Sequence, residues 1–378
     1  MEDNRRNFIK KSASVTAALT LAGINSAMSE PRETEKKTAL TKPYVKDAGI
    51  KFAFLMGPTS PKVPFARQMG VLHAVSGVEK VPGFNAWDPQ SITATKEIWA
   101  KEGIKWTVVE GPPSLGSLTK LALQGRDEEI ANFITFMKNL KKYGDVDVIC
   151  YNWMPVISWA RTQMDRPGRG GALMTAFDYE EMKGKPLTQY GEVSKESLWK
   201  NLEYFLKAVV PEAEKIEMKL SLHPDDPQVD SIQGISRIMN SVENFDRMLK
   251  IVPSKFSGVT MCQGNFSLMG ADIPKLVRRW GKDVISFVHF RSVQDLSGTI
   301  PSTKFTECFH DEGQIDMYEA MKAYYDIGFD GPLRPDHVPT MAGETNEHPG
   351  YMTLGNLYAT GYIRGLAESV SKERSKLL

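Results

Sequence analysis

A chain of 378 residues with 41% hydrophobic and 25% charged content carries enough apolar material for a large core, which excludes a disordered chain. Lys and Arg total 47 against 46 Asp and Glu, and the resulting net charge of +1 gives no reason to expect nucleic acid or an anionic membrane surface as a partner. The composition is that of a soluble globular protein acting on a small molecule, and it leaves a homo-oligomer open.

At the amino terminus, Arg5-Arg6-Asn7-Phe8-Ile9-Lys10-Lys11 sets paired arginines before an apolar run over 12–24 and small residues at Ser26 and Ala27. That is the layout of a twin-arginine export signal. The run is too short and too rich in Ala, Ser and Thr to span a bilayer stably. Residues 1–28 are therefore expected to be a cleaved signal, 29–46 a flexible linker, and 47–378 the folded domain. A periplasmic or exported location follows, with no membrane attachment after cleavage. The three cysteines, Cys150, Cys262 and Cys308, cannot all pair with one another, which favours thiols or metal ligands over a disulfide framework.

From residue 50 onward, strand-like and helix-like segments alternate. Short apolar runs fall at 50–57, 71–76, 105–110, 146–152, 219–223, 258–262, 284–290 and 331–336. Between them, apolar residues recur at three- and four-residue spacing over 91–103, 127–143, 195–217, 242–251, 273–280 and 316–327. This alternation predicts an α/β fold, a (β/α)8 TIM barrel with a long insertion after strand 4. A doubly wound open sheet is the alternative, but no Gly-x-Gly-x-x-Gly turn follows the first strand. The insertion, 154–194, is too long for an ordinary strand-to-helix loop. In a barrel it would lie over the carboxyl-terminal mouth as a lid, or run as a plain surface excursion.

Four residues with ligand chemistry, His223, Cys262, His289 and Asp336, end four successive apolar segments. A lone strand-end histidine is more often hydrogen-bonded than metal-bound, and His73, His310 and His348 keep that reading. In a barrel, however, strand ends converge on one mouth. Two imidazoles, a thiolate and a carboxylate suit a divalent transition metal with open positions, since closed structural zinc sites use mostly Cys and His. The residue types leave Zn2+, Fe2+, Mn2+, Co2+ and Ni2+ open.

The motifs His223-Pro-Asp-Asp-Pro227, Met261-Cys-Gln-Gly264, Phe287-Val-His-Phe-Arg291, Asp316-Met317 and Arg334-Pro-Asp-His337 resemble, in order, those of the mannonate dehydratase family. Cys150-Tyr-Asn-Trp-Met-Pro155, Trp159-Ala-Arg161-Thr162, Pro349-Gly-Tyr351 and Gly361-Tyr362 are also similar to that family, so the resemblance spans about 105–368. It implies a xylose-isomerase-like barrel that binds a divalent ion, typically Mn2+, through His223, Cys262, His289 and Asp336. It also implies loss of water from mannonate to give 2-keto-3-deoxygluconate, with proton transfer at the positions of His337 and Tyr351.

Such chemistry asks for those residue types. Removing the proton beside a carboxylate builds negative charge that a cation stabilises. A base must take that proton and an acid must serve the departing hydroxyl, and the sequence does not divide these roles between His337 and Tyr351. Asn152, Arg161, Asn265 and Arg291 lie at or just beyond strand ends and are candidates for holding the hydroxyls or carboxylate of a sugar acid, with structural pairing as the competing reading.

The chain departs from the family at Phe54-Leu-Met-Gly-Pro-Thr-Ser60, at Val338-Pro-Thr-Met341 and at Leu72-His73-Ala74, where one imidazole, His73, is retained as a further substrate-binding candidate. These departures widen the expected substrate to D-mannonate or a related aldonic or uronic acid. A metal-dependent sugar isomerase or epimerase on the same barrel is the alternative enzyme. A non-catalytic sugar-acid binding protein is the third reading, disfavoured by the retention of His337 and Tyr351.

Overall fold

The computed structural model describes residues 49–375. The expected export signal and linker lie outside the described residues. Among the described residues, parallel strands close a barrel: β1 (Lys51–Leu55), β2 (His73–Val75), β3 (Lys105–Glu110), β4 (Val148–Asn152), β5 (Lys219–His223), β6 (Ser257–Cys262), β7 (Ile285–His289) and β8 (Pro332–Arg334). β1 pairs with both β2 and β8, which completes the circle and bears out the TIM-barrel expectation.

Both faces of these strands are covered, which is why they read as continuous apolar runs rather than alternating ones. Ala53, Val75, Val108, Val148, Cys150 and Phe287 fill the lumen, while the opposite faces pack on the helices. The helix Lys195–Lys215 shows how the outer layer is specified. Leu198, Leu202, Phe205, Leu206, Val209 and Ala213 make one buried stripe, and the Ser194 side chain caps the start by accepting from the Ser197 N–H. Asp316, part of the quoted motifs, has the same role: it accepts from the Glu319 N–H and opens the helix Met317–Asp326. Periodicity passed over four further helices, Lys62–Gln68, Ser117–Lys120, Gln263–Leu268 and Thr353–Ser375. No described helix is long and apolar enough to cross a membrane.

The insertion after β4 is built structure. Its strands Gln163–Pro167 and Leu173–Asp178 form a hairpin, and the second of them pairs with Lys304–Glu307 from the excursion after β7. Lys304–Glu307 also pairs with Val293–Asp295, so two excursions distant in sequence make one antiparallel four-stranded sheet. Phe177, Val229, Ile232, Leu268, Val293 and Phe305 give that sheet its own small core.

Candidate active site

Strand register gathers the expected ligands. Cys262 lies opposite His289 across β6 and β7, and His289 opposite Arg334 across β7 and β8, two residues before Asp336. His223 closes β5 opposite Asn152 of β4. As a result, one donor atom from each of His223, Cys262, His289 and Asp336 lies within 4.8 Å of the other three.

A hydrogen bond sets the direction of the His223 ring, and a charge contact that of His289. His223 Nδ1 lies 2.7 Å from the Pro224 carbonyl, which only a protonated Nδ1 can serve, so the Nε2 lone pair faces the cluster. His289 directs Nε2 towards Glu110 Oε1 at 3.5 Å and Nδ1 towards the cluster. The two inward nitrogens are 3.1 Å apart, and His289 Nδ1 is 3.4 Å from Asp336 Oδ2. A carboxylate behind a ligating imidazole is the usual outer support of a metal site, and Glu110 stands in that place.

The electrostatics fit a cation. Burial and the Arg334 charge act to lower the His289 pKa, yet Asp336 and Glu110 raise it to about 9, so the field at this point favours positive charge. Asp336 is held well below the ordinary carboxylate range: burial opposes its ionisation, but His337, His289 and Arg334 outweigh it. Two converging imidazole lone pairs, a thiol sulfur and an ionised carboxylate are donors suited to a divalent ion.

His337 and Tyr351 stand beside this cluster, with Nε2 2.6 Å from the phenol oxygen. Trp159, from the excursion after β4, packs over both rings with centroids 5.4 and 6.5 Å away. On the far side of the imidazole, Nδ1 lies 3.0 Å from Glu307 Oε1 and 2.9 Å from Arg291 Nη1. Burial, and then the Asp336 charge, push the Tyr351 phenol well above its ordinary value, so it remains protonated. A cleft of about 130 Å3 joins these parts, lined among others by Glu110, Asn152, Trp159, His223, Asp226 and Tyr351.

Three of the expected substrate contacts do not line the cleft. Arg161, Asn265 and Arg291 are buried behind its wall. Arg161 donates to Asp226 at 2.6 Å and to Glu307 at 2.5 Å, while Arg291 donates to Asp226 at 3.1 Å, to Asn265 Oδ1 at 2.7 Å and also to Glu307. The physical reason is charge: two buried carboxylates need these guanidinium groups. Burial acts to raise Glu307, but Arg291, His337 and Arg161 hold it well below its ordinary value. Arg291 Nε also lies 3.2 Å from Cys262 Sγ and 3.1 Å from Asp336 Oδ2. Gly264 explains that approach, because a Cβ there would come within 2.8 Å of Arg291 Nε.

His73 is the clear correction. It opens β2 opposite Lys105, the first residue of β3, and so sits at the amino-terminal end of the barrel, away from the cluster. Its Nδ1 contacts Thr107 Oγ1 at 2.8 Å, and burial with Lys51 and Lys105 nearby lowers its pKa to about 4. It is a neutral structural histidine. Of the expected substrate contacts, Asn152 alone lines the cleft.

Sequence reasoning missed Glu110, Asp226, Glu307 and Arg334. Glu110 ends the third apolar run just as His223 ends the fifth, and Asp226 and Arg334 sit inside quoted motifs. Arg334 grips Glu110 through Nε and Nη2 at 3.1 and 2.8 Å and donates to Asp336 at 2.9 Å.

The D-mannonate dehydratase (UxuA) family profile matches residues 56–189 and 182–377. The chain belongs to the D-mannonate dehydratase family. By class it is a hydro-lyase. A mannonate dehydratase of Streptococcus agalactiae is 35% identical over 326 residues, covering 79% of this chain and 91% of the relative. Mannonate dehydratase 2 of Halalkalibacterium halodurans is 33% identical over 344 residues, covering 83% and 97%. Among solved structures, mannonate dehydratase from Streptococcus suis serotype 2 superposes with a TM-score of 0.79 at 30% identity, covering 86% of this chain and 95% of that one. A D-tagatose 3-epimerase-like protein reaches 0.53 at 14% identity over 86% of this chain and 99% of that one, a likeness of fold alone.

Proposed function

We propose that this family member is a divalent-cation-dependent sugar-acid dehydratase, converting D-mannonate or a closely related aldonic or uronic acid to the 2-keto-3-deoxy acid and water. The observation that carries the reading is the 2.6 Å His337–Tyr351 contact beside the four-donor cluster. His223, Cys262, His289 and Asp336 would hold the ion, with Mn2+ first on the family resemblance and Fe2+, Co2+, Ni2+ or Zn2+ accepted by the same donors. When bound, it supplies stabilisation for the charge that grows on the substrate carboxylate.

The protein's own groups complete a proton cycle. His337 Nε2 takes the C2 proton, and the electron pair of that bond expels the C3 hydroxyl. The Tyr351 phenol, kept protonated by burial, delivers its proton to the departing oxygen, which leaves as water. The proton on Nε2 then returns to the phenolate across the short contact, and the enol product rearranges to the ketone. Nδ1–H donates to Glu307 at the other edge of the imidazole, which leaves the Nε2 lone pair facing the phenol and the substrate. The paired arginines near the amino terminus support delivery of this enzyme across a membrane by the twin-arginine route.

A panel of five- and six-carbon sugar acids incubated with Mn2+-loaded protein is expected to yield a product 18 mass units lighter from at least one acid. Unchanged mass from every acid, with metal bound, would sink the dehydratase reading, and a product of unchanged mass but new stereochemistry would favour the epimerase. Cys262→Ser is expected to lose more metal than the roughly 10–100-fold that removal of an outer partner costs. Elemental analysis checks this, and wild-type metal content would remove Cys262 from the ligand set.

A further inference from the structure

Asn152 lines the cleft at the carboxyl end of β4, and its side-chain amide is oriented from behind. Its Oδ1 accepts from Lys120 Nζ at 3.0 Å and from the Met154 backbone N–H at 3.0 Å. An ammonium and a peptide N–H are both donors only, so the atom they meet must be the oxygen. The alternative placement of the amide would set N–H against N–H twice. Among the described residues, no protein acceptor takes the Nδ2 hydrogens.

Lys120 is an unusual residue to find there. It is 7% exposed, and burial is the main cause that lowers its pKa to about 8. Its backbone is fixed as well, because Asn201 Nδ2 donates to the Lys120 carbonyl at 3.0 Å. A buried ammonium is costly unless it meets a firm acceptor, and Asn152 Oδ1 is that acceptor.

We infer that Lys120 is a positioning residue that locks the Asn152 amide with its N–H donors facing the cleft, so that the site selects a sugar acid with an acceptor oxygen, carboxylate or hydroxyl, beside the ligand cluster. The inference rests on the sugar-acid reading for its choice of ligand, while the orientation of the amide follows from the hydrogen bonds. A locked donor presents the same face at every turnover. With only the Met154 N–H holding Oδ1, the amide would turn more readily and present its acceptor to the oxygen-rich face of an anionic substrate.

The test compares wild type, Lys120→Met, Lys120→Arg and Asn152→Asp by steady-state kinetics and by calorimetric binding of the best sugar acid, with thermal unfolding as a check on folding. Lys120→Met is expected to raise KM about tenfold or more with a smaller change in kcat, and Lys120→Arg to recover part of the loss because it also supplies only donors. Asn152→Asp keeps a partner for Lys120 but offers only acceptors, so it is expected to fold and to raise KM by at least as much. It decides the matter if Lys120→Met does not fold. Unchanged KM in Lys120→Met, or wild-type KM in Asn152→Asp, overturns the inference and leaves the dehydratase reading standing. A wild type that binds a sugar acid without dehydrating it, with weaker binding in both variants, sustains the inference and overturns that reading. No binding and no turnover by wild type overturns both.

Discussion

His337→Ala is expected to lower kcat by about 10²–10⁴-fold, the usual contribution of a positioned proton-transfer group, with metal content unchanged. Metal is retained because none of the four cluster donors belongs to His337. The surrounding charges also remain paired, since Arg161 and Arg291 both reach Glu307 without the imidazole. Tyr351→Phe should fall by a similar factor. The His337→Ala/Tyr351→Phe double variant should lose little more than either single variant, because both serve one proton cycle. A double variant whose loss is the product of the two single losses would show independent action and break the cycle. Isotope exchange separates the two roles: in D2O, Tyr351→Phe should still exchange the C2 hydrogen of the substrate faster than it releases product. Exchange that survives in His337→Ala but not in Tyr351→Phe would reverse the assignment of base and acid.

Arg291→Met is expected to be the most damaging single change to stability, at about 3–5 kcal/mol. The guanidinium has no exposed surface and serves Asp226, Glu307, Asn265 and Asp336 at once, besides the Cys262 sulfur. Methionine fills much of the volume but leaves buried carboxylates without their counter-charge, and that cost exceeds the worth of the contacts themselves. In a chain of this size the loss corresponds to a fall in Tm of about 4–7 °C, measurable by calorimetry. The exposed Lys207–Glu203 pair is the control, and Lys207→Ala should leave Tm where it is. Equal effects from the two substitutions would show that the buried network is not what holds the wall of the cleft together.

The barrel was legible because each strand is covered on both faces and so announces itself as an apolar run bounded by polar turns. The ligand cluster was legible for a related reason, since parallel strands bring all their carboxyl ends to one mouth, and His223, Cys262, His289 and Asp336 each mark such an end. Glu110 carries the same signal, but no ligand-type histidine or cysteine shares its motif to set it apart from an ordinary surface carboxylate. His73 misled for the complementary reason: it lies at the start of its strand, and a register difference of a few residues separates the functional end of a barrel from the structural one. Arg161 and Arg291 were correctly placed near the site, yet sequence cannot distinguish a guanidinium that meets a ligand from one that neutralises buried carboxylates. Glu307 gave no sign at all. Its strand, Lys304–Glu307, belongs to a sheet assembled from two excursions, and pairing between segments more than a hundred residues apart leaves no local periodicity to read.

That composite sheet also bears on how such enzymes diversify. Trp159 and Arg161 come from one excursion and Glu307 from the other, and backbone hydrogen bonds between them tie the support of the imidazole to the wall of the cleft. Neither segment is a free-standing module. Exchanging one of them between homologues would leave an unmated strand edge and a mismatched charge set, so productive recombination should inherit both together or neither.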